Sequence, residues 1–342
     1  MPDTPALPVA HVPLVLDANQ PEARFYEGGA RISTFRSTAP SAPHTPEDWV
    51  GSTTSVRGRA PVGMTRLADG TLLAEAIAAD PLGWLGAEHV ARYGADPMLL
   101  VKLLDAGQRL PVHAHPDGEF AAAHLGAAHG KAEAWYLLSP GTVYIGLRED
   151  VEPARLRELV DAQDTDGLLA LLNAVRVEPG DTVWVPPGTL HAIGAGILLA
   201  EVQEPEDLSI LLEWKGFELD GVADGHLDLG FDRALEAVTT TAVTGAALRK
   251  LITRGVSQGP TLAPGSVRYF RLDRIAAART LPAGLAIVIG LTGTTTLTTR
   301  TGEVSVSAGM TVLVPAAAGD QAFRTDGGSS VLVARPPLAE LG

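Results

Sequence analysis

The sequence predicts a mainly β protein of two barrel-like units with helical insertions, the second unit degenerate. Three observations lead there. The chain carries 37 Gly and 25 Pro in 342 residues, so turns are frequent and strands short. Strand-like apolar runs recur within 97–147 and 175–203 and return from about 266. One segment of the first region is echoed in the second: Pro179-Gly180-Asp181-Thr182-Val183-Trp184-Val185-Pro186 matches Ala308-Gly309-Met310-Thr311-Val312-Leu313-Val314-Pro315. In that alignment Asp320 stands where the first copy has His191, and no His-x-His precedes it. The second copy therefore lacks the polar cluster of the first.

The elements follow in order. Residues 1 to about 60 are rich in Pro, Ser, Thr and Gly and read as short strands and loops. Residues 71–94 predict two short helices, broken at Pro81 and Gly83. The run 97–107 fits a buried strand, although periodicity alone leaves a helix open. Strand-like stretches follow at 109–116 and 132–147, with a turn at Pro140-Gly141. An acidic start and Leu spacing predict two amphipathic helices within 150–174. Strands return at 175–203, and a connecting region carries a helix near 231–252. The expected division is 1–215, 216–265 and 266–342.

Composition narrows the partners. The chain is 46% hydrophobic and 19% charged, which suits a soluble protein with a sizeable core. A net charge of −14 repels phosphate backbones and argues against nucleic acid, while leaving room for a local basic pocket. The absence of cysteine excludes disulfides, thiolate catalysis and Cys-ligated zinc. The segment MPDTPALPVAHVPLVL has no basic stretch before a long apolar one, so no signal peptide is expected. No apolar run approaches the roughly 18 residues of a membrane span. A soluble, cytoplasmic monomer or homodimer is expected, with no membrane partner.

Of nine histidines, only His113 and His115 lie two apart in a strand-like stretch. Residues i and i+2 of a strand share a face, so two imidazoles can converge on one ion. By itself such a pair usually marks a solvated strand edge. The flanking pattern says more. Gly107, five residues, His113-x-His115, three residues, Glu119, six residues and Gly126 reproduce the spacing of the first cupin motif. Gly180, five residues, Pro186-x-Gly188, two residues and His191 resemble the second, with Ala195 in place of its terminal Asn. The resemblance implies two cupin (jelly-roll) barrels, the first holding one divalent metal. Three His and a carboxylate suit zinc first, with iron or manganese as alternatives.

A narrower resemblance covers most of residues 25–205. DPMLLVKLLDAGQRLPVHAHPD, GKAEAWYLL, VPPGTLHAIGAGILLAEVQ and PEDWVGSTTSV are similar to segments of the class I mannose-6-phosphate isomerases. The resemblance implies metal ligands at His113, His115, Glu133 and His191, with His113 replacing the family's Gln. It favours Glu133 over Glu119, because Gly130-Lys131-Ala132-Glu133 matches together with Trp135 and Tyr136. It makes Lys131 a candidate for proton transfer or substrate positioning, the alternative being a surface lysine. It implies an aldose–ketose isomerase acting on mannose 6-phosphate and fructose 6-phosphate through an enediol. One departure bears on substrate. Where the family has an Arg after the last strand, this chain has Leu211, in Glu206-Asp207-Leu208-Ser209-Ile210-Leu211. Lys215 is the next cation, or merely a solvated turn residue. Three alternatives stay open: an isomerase of an unphosphorylated or different sugar, which Leu211 and the acidic charge motivate, a non-catalytic sugar-binding cupin, and a metal-dependent oxygenase, since three His and one Glu also suit iron.

Overall fold

The structure, a computed structural model, describes residues 11–339. Residues 1–10, which begin the segment expected to hold no signal peptide, lie outside the described residues. Two pairs of antiparallel sheets form the framework, mainly β as expected, with the helices set between and around the strands.

The first pair builds the unit that carries the histidines. Its six-stranded sheet runs Ile252–Thr253, Thr182–Val185, Glu133–Leu137, Leu198–Gln203, Leu100–Asp105 and Glu47–Val50. Its five-stranded sheet runs Ile210–Leu211, His113–Ala114, His191–Ile193, Gly141–Leu147 and Leu172–Val177. Trp135, Val183 and Leu199 of the former share one core with Val143, Ile145 and Ile193 of the latter. The 97–107 run is resolved as strand Leu100–Asp105, every residue of it buried.

The helices expected within 150–174 are Pro153–Ala162 and Thr165–Ala170. Leu156, Leu159 and Val160 form the buried stripe of the first. They pack on Val112, Ala114 and Ala192 behind the five-stranded sheet, each fully buried Leu contributing roughly 1.5–3 kcal/mol.

The second pair repeats the plan without the histidines. Its six-stranded sheet holds Thr311–Val314, Ala286–Thr292, Ser330–Arg335 and Arg271–Ile275, with Leu14–Leu16 and Gly259–Pro260 at its edges. The four-stranded sheet is Arg279–Leu281, Gln321–Thr325, Thr294–Thr298 and Glu303–Ser307. The alternation of side chains is plain. Ala286 and Val288 face the interior of this pair, whereas Ile287 and Ile289 join the large core shared with the first unit. The echoed segments occupy matching strands, Thr182–Val185 and Thr311–Val314.

Four helical details differ from expectation. Within the first 60 residues, expected to be short strands and loops, Ala30–Arg36 is a helix that buries Ile32 and Ser33. Residues 71–94 hold three helices, Leu73–Ala79, Pro81–Leu85 and Ala87–Tyr93. The first break falls at Asp80, whose carboxylate caps Gly83 N at 3.0 Å, with Pro81 opening the next helix. The helix expected near 231–252 is two short pieces, Phe231–Ala234 and Gly245–Lys250, separated by β-branched Thr239, Thr240 and Thr241. A helix not expected, Gly118–Leu125, follows the His-x-His strand.

Candidate metal centre

The strand pairing brings the histidines together. His113 lies directly opposite His191 on one side and Leu211 on the other, and Ile145 flanks His191. Leu211, His113, His191 and Ile145 thus form one cross-strand row on one face of the sheet. His115 lies just beyond the two-residue strand His113–Ala114. The ring centroids of His113 and His191 are 4.0 Å apart, and those of His115 and His191 are 4.9 Å apart. One ligand atom from each of His113, His115 and His191 falls within 4.8 Å of the others, and all three residues are buried.

Each imidazole is oriented by its backbone. Nδ1 of His113 bonds Pro111 O at 2.8 Å, that of His115 bonds Leu208 O at 2.6 Å, and that of His191 bonds Thr189 O at 2.8 Å. A carbonyl oxygen only accepts, so each Nδ1 carries the proton and each Nε2 is left with a lone pair. Fixing the tautomer this way is how proteins aim a histidine at a metal. Burial, followed by the neighbouring histidines, pushes His113 well below the ordinary imidazole value. Burial and the Lys131 ammonium push His115 down to about 3.

Glu133 completes the group from the facing sheet. Its Oε2 lies 3.1 Å from His115 Nε2 and its Oε1 3.2 Å from His191 Nε2. Trp135 Nε1 donates to Oε1 at 3.1 Å, and Lys131 Nζ donates to Oε2 at 2.9 Å. Burial works to raise the Glu133 carboxyl, but the Lys131 ammonium holds it well below the usual range. Imidazole lone pairs and a carboxylate therefore face one another, all acceptors. His191 Nε2 has no hydrogen-bond partner among the described residues. An unmet buried polar atom costs on the order of 1–3 kcal/mol. A divalent cation relieves that conflict, and this donor set fits one.

Lys131 is buried beside the cluster, its Nζ 3.0 Å from His115 Nε2 as well as 2.9 Å from Glu133. Glu119 is elsewhere. It is exposed on the helix Gly118–Leu125, the segment that Asp117 caps at Phe120 N and Gly126 ends at a φ of 63°. His124 is exposed on the same helix, and His129 pairs with Asp96 at 2.6 Å. Lys215 is exposed and lines none of the cluster's cavity.

The sequence reading did not single out a second tier of charges. Trp135, Glu201, Lys102 and Trp49 form a cross-strand row on the six-stranded sheet. Lys102 Nζ lies 3.2 Å from Glu47 and 3.8 Å from Glu201, and 4.5 Å over the Trp49 ring. Glu47 also accepts from Tyr26 Oη at 2.6 Å, Trp49 Nε1 at 2.7 Å and Arg24 Nε at 3.1 Å. Burial and the charge of Glu133 push the Glu201 carboxyl up to about 7. The signal for these residues was a single charge inside an apolar strand, as in LLVKLL and LLAEV.

Glu133, Lys131, Glu201, Arg24, Leu211 and His113 are among the residues that line one cavity of about 40 Å³ at the cluster. Arg24, Phe25, Asp207, Ser209 and Leu211 also line an outer pocket of about 430 Å³.

Comparison with known proteins agrees with this architecture. No protein-family model matches the chain. A mannose-6-phosphate isomerase of Streptococcus mutans is 40% identical over 133 residues, covering 37% of this chain and 41% of that protein. The chain thus matches less than half the length of this relative. The apo form of mannose 6-phosphate isomerase from Salmonella typhimurium has the same fold, with a TM-score of 0.73 and 16% identity over 96% of this chain and 100% of that one. A mannose 6-phosphate isomerase bound with zinc and yttrium aligns with the same score, identity and coverage. In sequence over part of its length, and in fold over almost all of it, the chain resembles the mannose-6-phosphate isomerases.

Proposed function

We propose that the chain is a metal-dependent aldose–ketose isomerase that interconverts mannose 6-phosphate and fructose 6-phosphate through an enediol. The observation that carries this reading is the acceptor-only cluster of His113, His115, His191 and Glu133, opening beside Lys131 onto a cavity. We assign these four residues as the ligands and zinc as the ion, iron and manganese being the other ions the donors suit. A fold neighbour bound with zinc supports the choice. A divalent ion held there supplies Lewis-acid stabilisation of negative charge on adjacent sugar oxygens.

The remaining work falls to side chains. Lys131 borders the cavity and is assigned to hold a substrate oxygen and to move the proton between C1 and C2. Its hydrogen bond to His115 Nε2 uses the same lone pair an ion would need, so with an ion held there Nζ would be left to face the cavity it already lines, where as the neutral amine it would accept the carbon-bound proton. Glu201 lines the same cavity with a carboxyl near 7, and is the other group able to carry a proton at neutral pH. The apolar walls Leu104, Leu110 and Ile193 limit water. A cytoplasmic setting, and a division into a metal-binding unit (1–215), a connector (216–265) and a metal-free barrel (266–342), belong to the same proposal.

Elemental analysis of the purified protein together with an isomerase assay tests this reading. One equivalent of metal and interconversion of mannose 6-phosphate with fructose 6-phosphate are expected. Metal-loaded protein that interconverts neither the phosphorylated nor the free sugars rules it out. Leu211 favours a second reading, in which the substrate is unphosphorylated. A clear preference for the phosphorylated sugar removes it.

A further inference from the structure

The cavity at the cluster, about 40 Å³, is about a tenth of the outer pocket's roughly 430 Å³ and has room for part of a hexose and not the whole. Only the reacting end of a sugar enters it. The rest of the molecule must pass the neck formed by the residues common to both cavities and lie in the outer pocket of about 430 Å³. The groups at that neck therefore select what the far end of the substrate carries.

At the neck, Asp207 brings a carboxylate, and the strand Ile210–Leu211 brings no cation. Leu211 pairs directly with His113, so the side chain nearest the cluster on that strand is apolar. On the opposite side stands Arg24. Its Nε donates to Glu47 at 3.1 Å, and its Nη1 lies 3.6 Å from Asp207, beyond hydrogen-bond distance. Glu47 is itself fixed by Tyr26, Trp49 and Lys102, so the guanidinium is anchored at one edge. A guanidinium has five N–H donors in a planar fork that matches phosphate. Nη2 also lies 3.1 Å from Glu47, so Nε and Nη2 hold one edge of the guanidinium and Nη1 is the end turned toward the neck.

The outer pocket adds to this. Arg57 and Arg59 line it, in a protein whose net charge is −14. Of its carboxylates, Asp228 is engaged by Arg57 at 2.9 Å, and Asp207 accepts from Arg57 N at 3.2 Å. Asp224 is unpaired there, but so is Arg59, whose guanidinium donates to the carbonyl of Glu22 and meets no carboxylate among the described residues.

We propose that Arg24 holds the phosphate of a hexose phosphate at this neck, with Arg59 on the outer wall, supplying from the 23–27 segment the cation that Leu211 does not provide. The inference rests on the proposed function for its substrate class. It makes Arg24 a specificity residue and separates anchoring of the phosphate from the chemistry at the cluster.

The test compares Arg24→Gln, Arg24→Lys and Arg59→Gln with the native protein, on mannose 6-phosphate and on free mannose. Metal content and melting temperature are measured for each variant. Arg24→Gln is expected to raise KM for mannose 6-phosphate at least tenfold more than for mannose. Arg24→Lys recovers part of the loss, and Leu211→Arg added to Arg24→Gln recovers it further. Equal losses on both sugars, or no loss on either, overturn the inference. Should Arg24→Gln fail to fold, Arg59→Gln decides. A selective rise of several-fold in KM for the phosphorylated sugar supports the inference, and no change overturns it. Should the native protein not isomerise, calorimetric titration with mannose 6-phosphate separates the two ideas. Binding that weakens tenfold in Arg24→Gln keeps the anchor and discards the isomerase. No binding discards the anchor as well.

Discussion

Glu133 and Glu119 make opposite predictions although both stand in motif positions. Glu133 is buried among three imidazoles, whereas Glu119 is exposed on a helix. Glu133→Ala is expected to lower bound metal at least tenfold by elemental analysis after dialysis, and Glu119→Ala to leave it unchanged. The motif spacing alone could not decide between them, because spacing counts residues and the helix Gly118–Leu125 turns Glu119 outward. The cap at Asp117 and the stop at Gly126 were legible signals of that helix. A second prediction concerns Glu201. Its carboxyl titrates near 4.5 when unfolded and about 7 when folded. The folded state holds the proton more tightly, so this group stabilises below about pH 4.5 and that contribution is lost as pH rises through 7. Glu201→Gln does not ionise. In metal-free protein its melting temperature should gain on the native one between pH 5 and pH 8, by the equivalent of roughly 3 kcal/mol. A gap that is constant across that range contradicts the assignment. Glu201 stood in plain view as the only charge in LLAEVQ, but which neighbours it meets depends on Lys102 and Trp135 from strands far away in sequence.

Elements place the site through close backbone contact as much as through side chains. Gly130 ends the loop after the helix Gly118–Leu125. A Cβ there would meet the carbonyl carbon of Asp117 at 2.5 Å, Gly118 N at 2.6 Å and Pro116 O at 2.7 Å. Lys131 N then donates to Pro116 O at 3.0 Å, tying the loop to the His-x-His strand. Gly130→Ala must push these segments apart. It should destabilise by about 1–3 kcal/mol in denaturant melts and reduce turnover more than Gly118→Ala, whose Cβ meets only Gly130 N at an ordinary 3.7 Å. The glycine before Lys131 was visible in the sequence, but the reason for it was not, since the contact joins two loops. The strands around the site were easier to foresee. Turn residues bound them and apolar runs fill them. The helical connector was harder, because short helices held by tertiary packing leave little periodicity.

The two sheet pairs share one core. Trp184, on the six-stranded sheet of the first pair, packs 5.6 Å from Tyr269 and 5.9 Å from Phe270. Ile287, Leu313 and Leu332 of the second pair share a core with Leu103 and Leu199 of the first. A single calorimetric transition is therefore expected for metal-free protein, and a chain lacking residues 266–342 should not fold to a metal-binding unit. Two well-separated transitions would show that the pairs are independent. The division of the sequence into successive regions could not reveal this coupling. The echoed segments at 179–186 and 308–315 announced two similar units, but the faces they bury against each other emerge only when alternate residues of both are laid in space.

The edge strand Leu14–Leu16 carries that coupling into time. It pairs with Thr311–Leu313, and Arg36 clamps the pair through Leu16 O at 2.7 Å and Thr311 Oγ1 at 2.9 Å. On a ribosome the first partner emerges almost a full chain before the second. Until then its edge and the Arg36 clamp stay exposed, open to chaperones or to a neighbouring nascent chain. Closure of this seam is a late, long-range event, and so a slow one. Folding yield in a cell should then respond to translation speed and chaperone supply more than to metal supply.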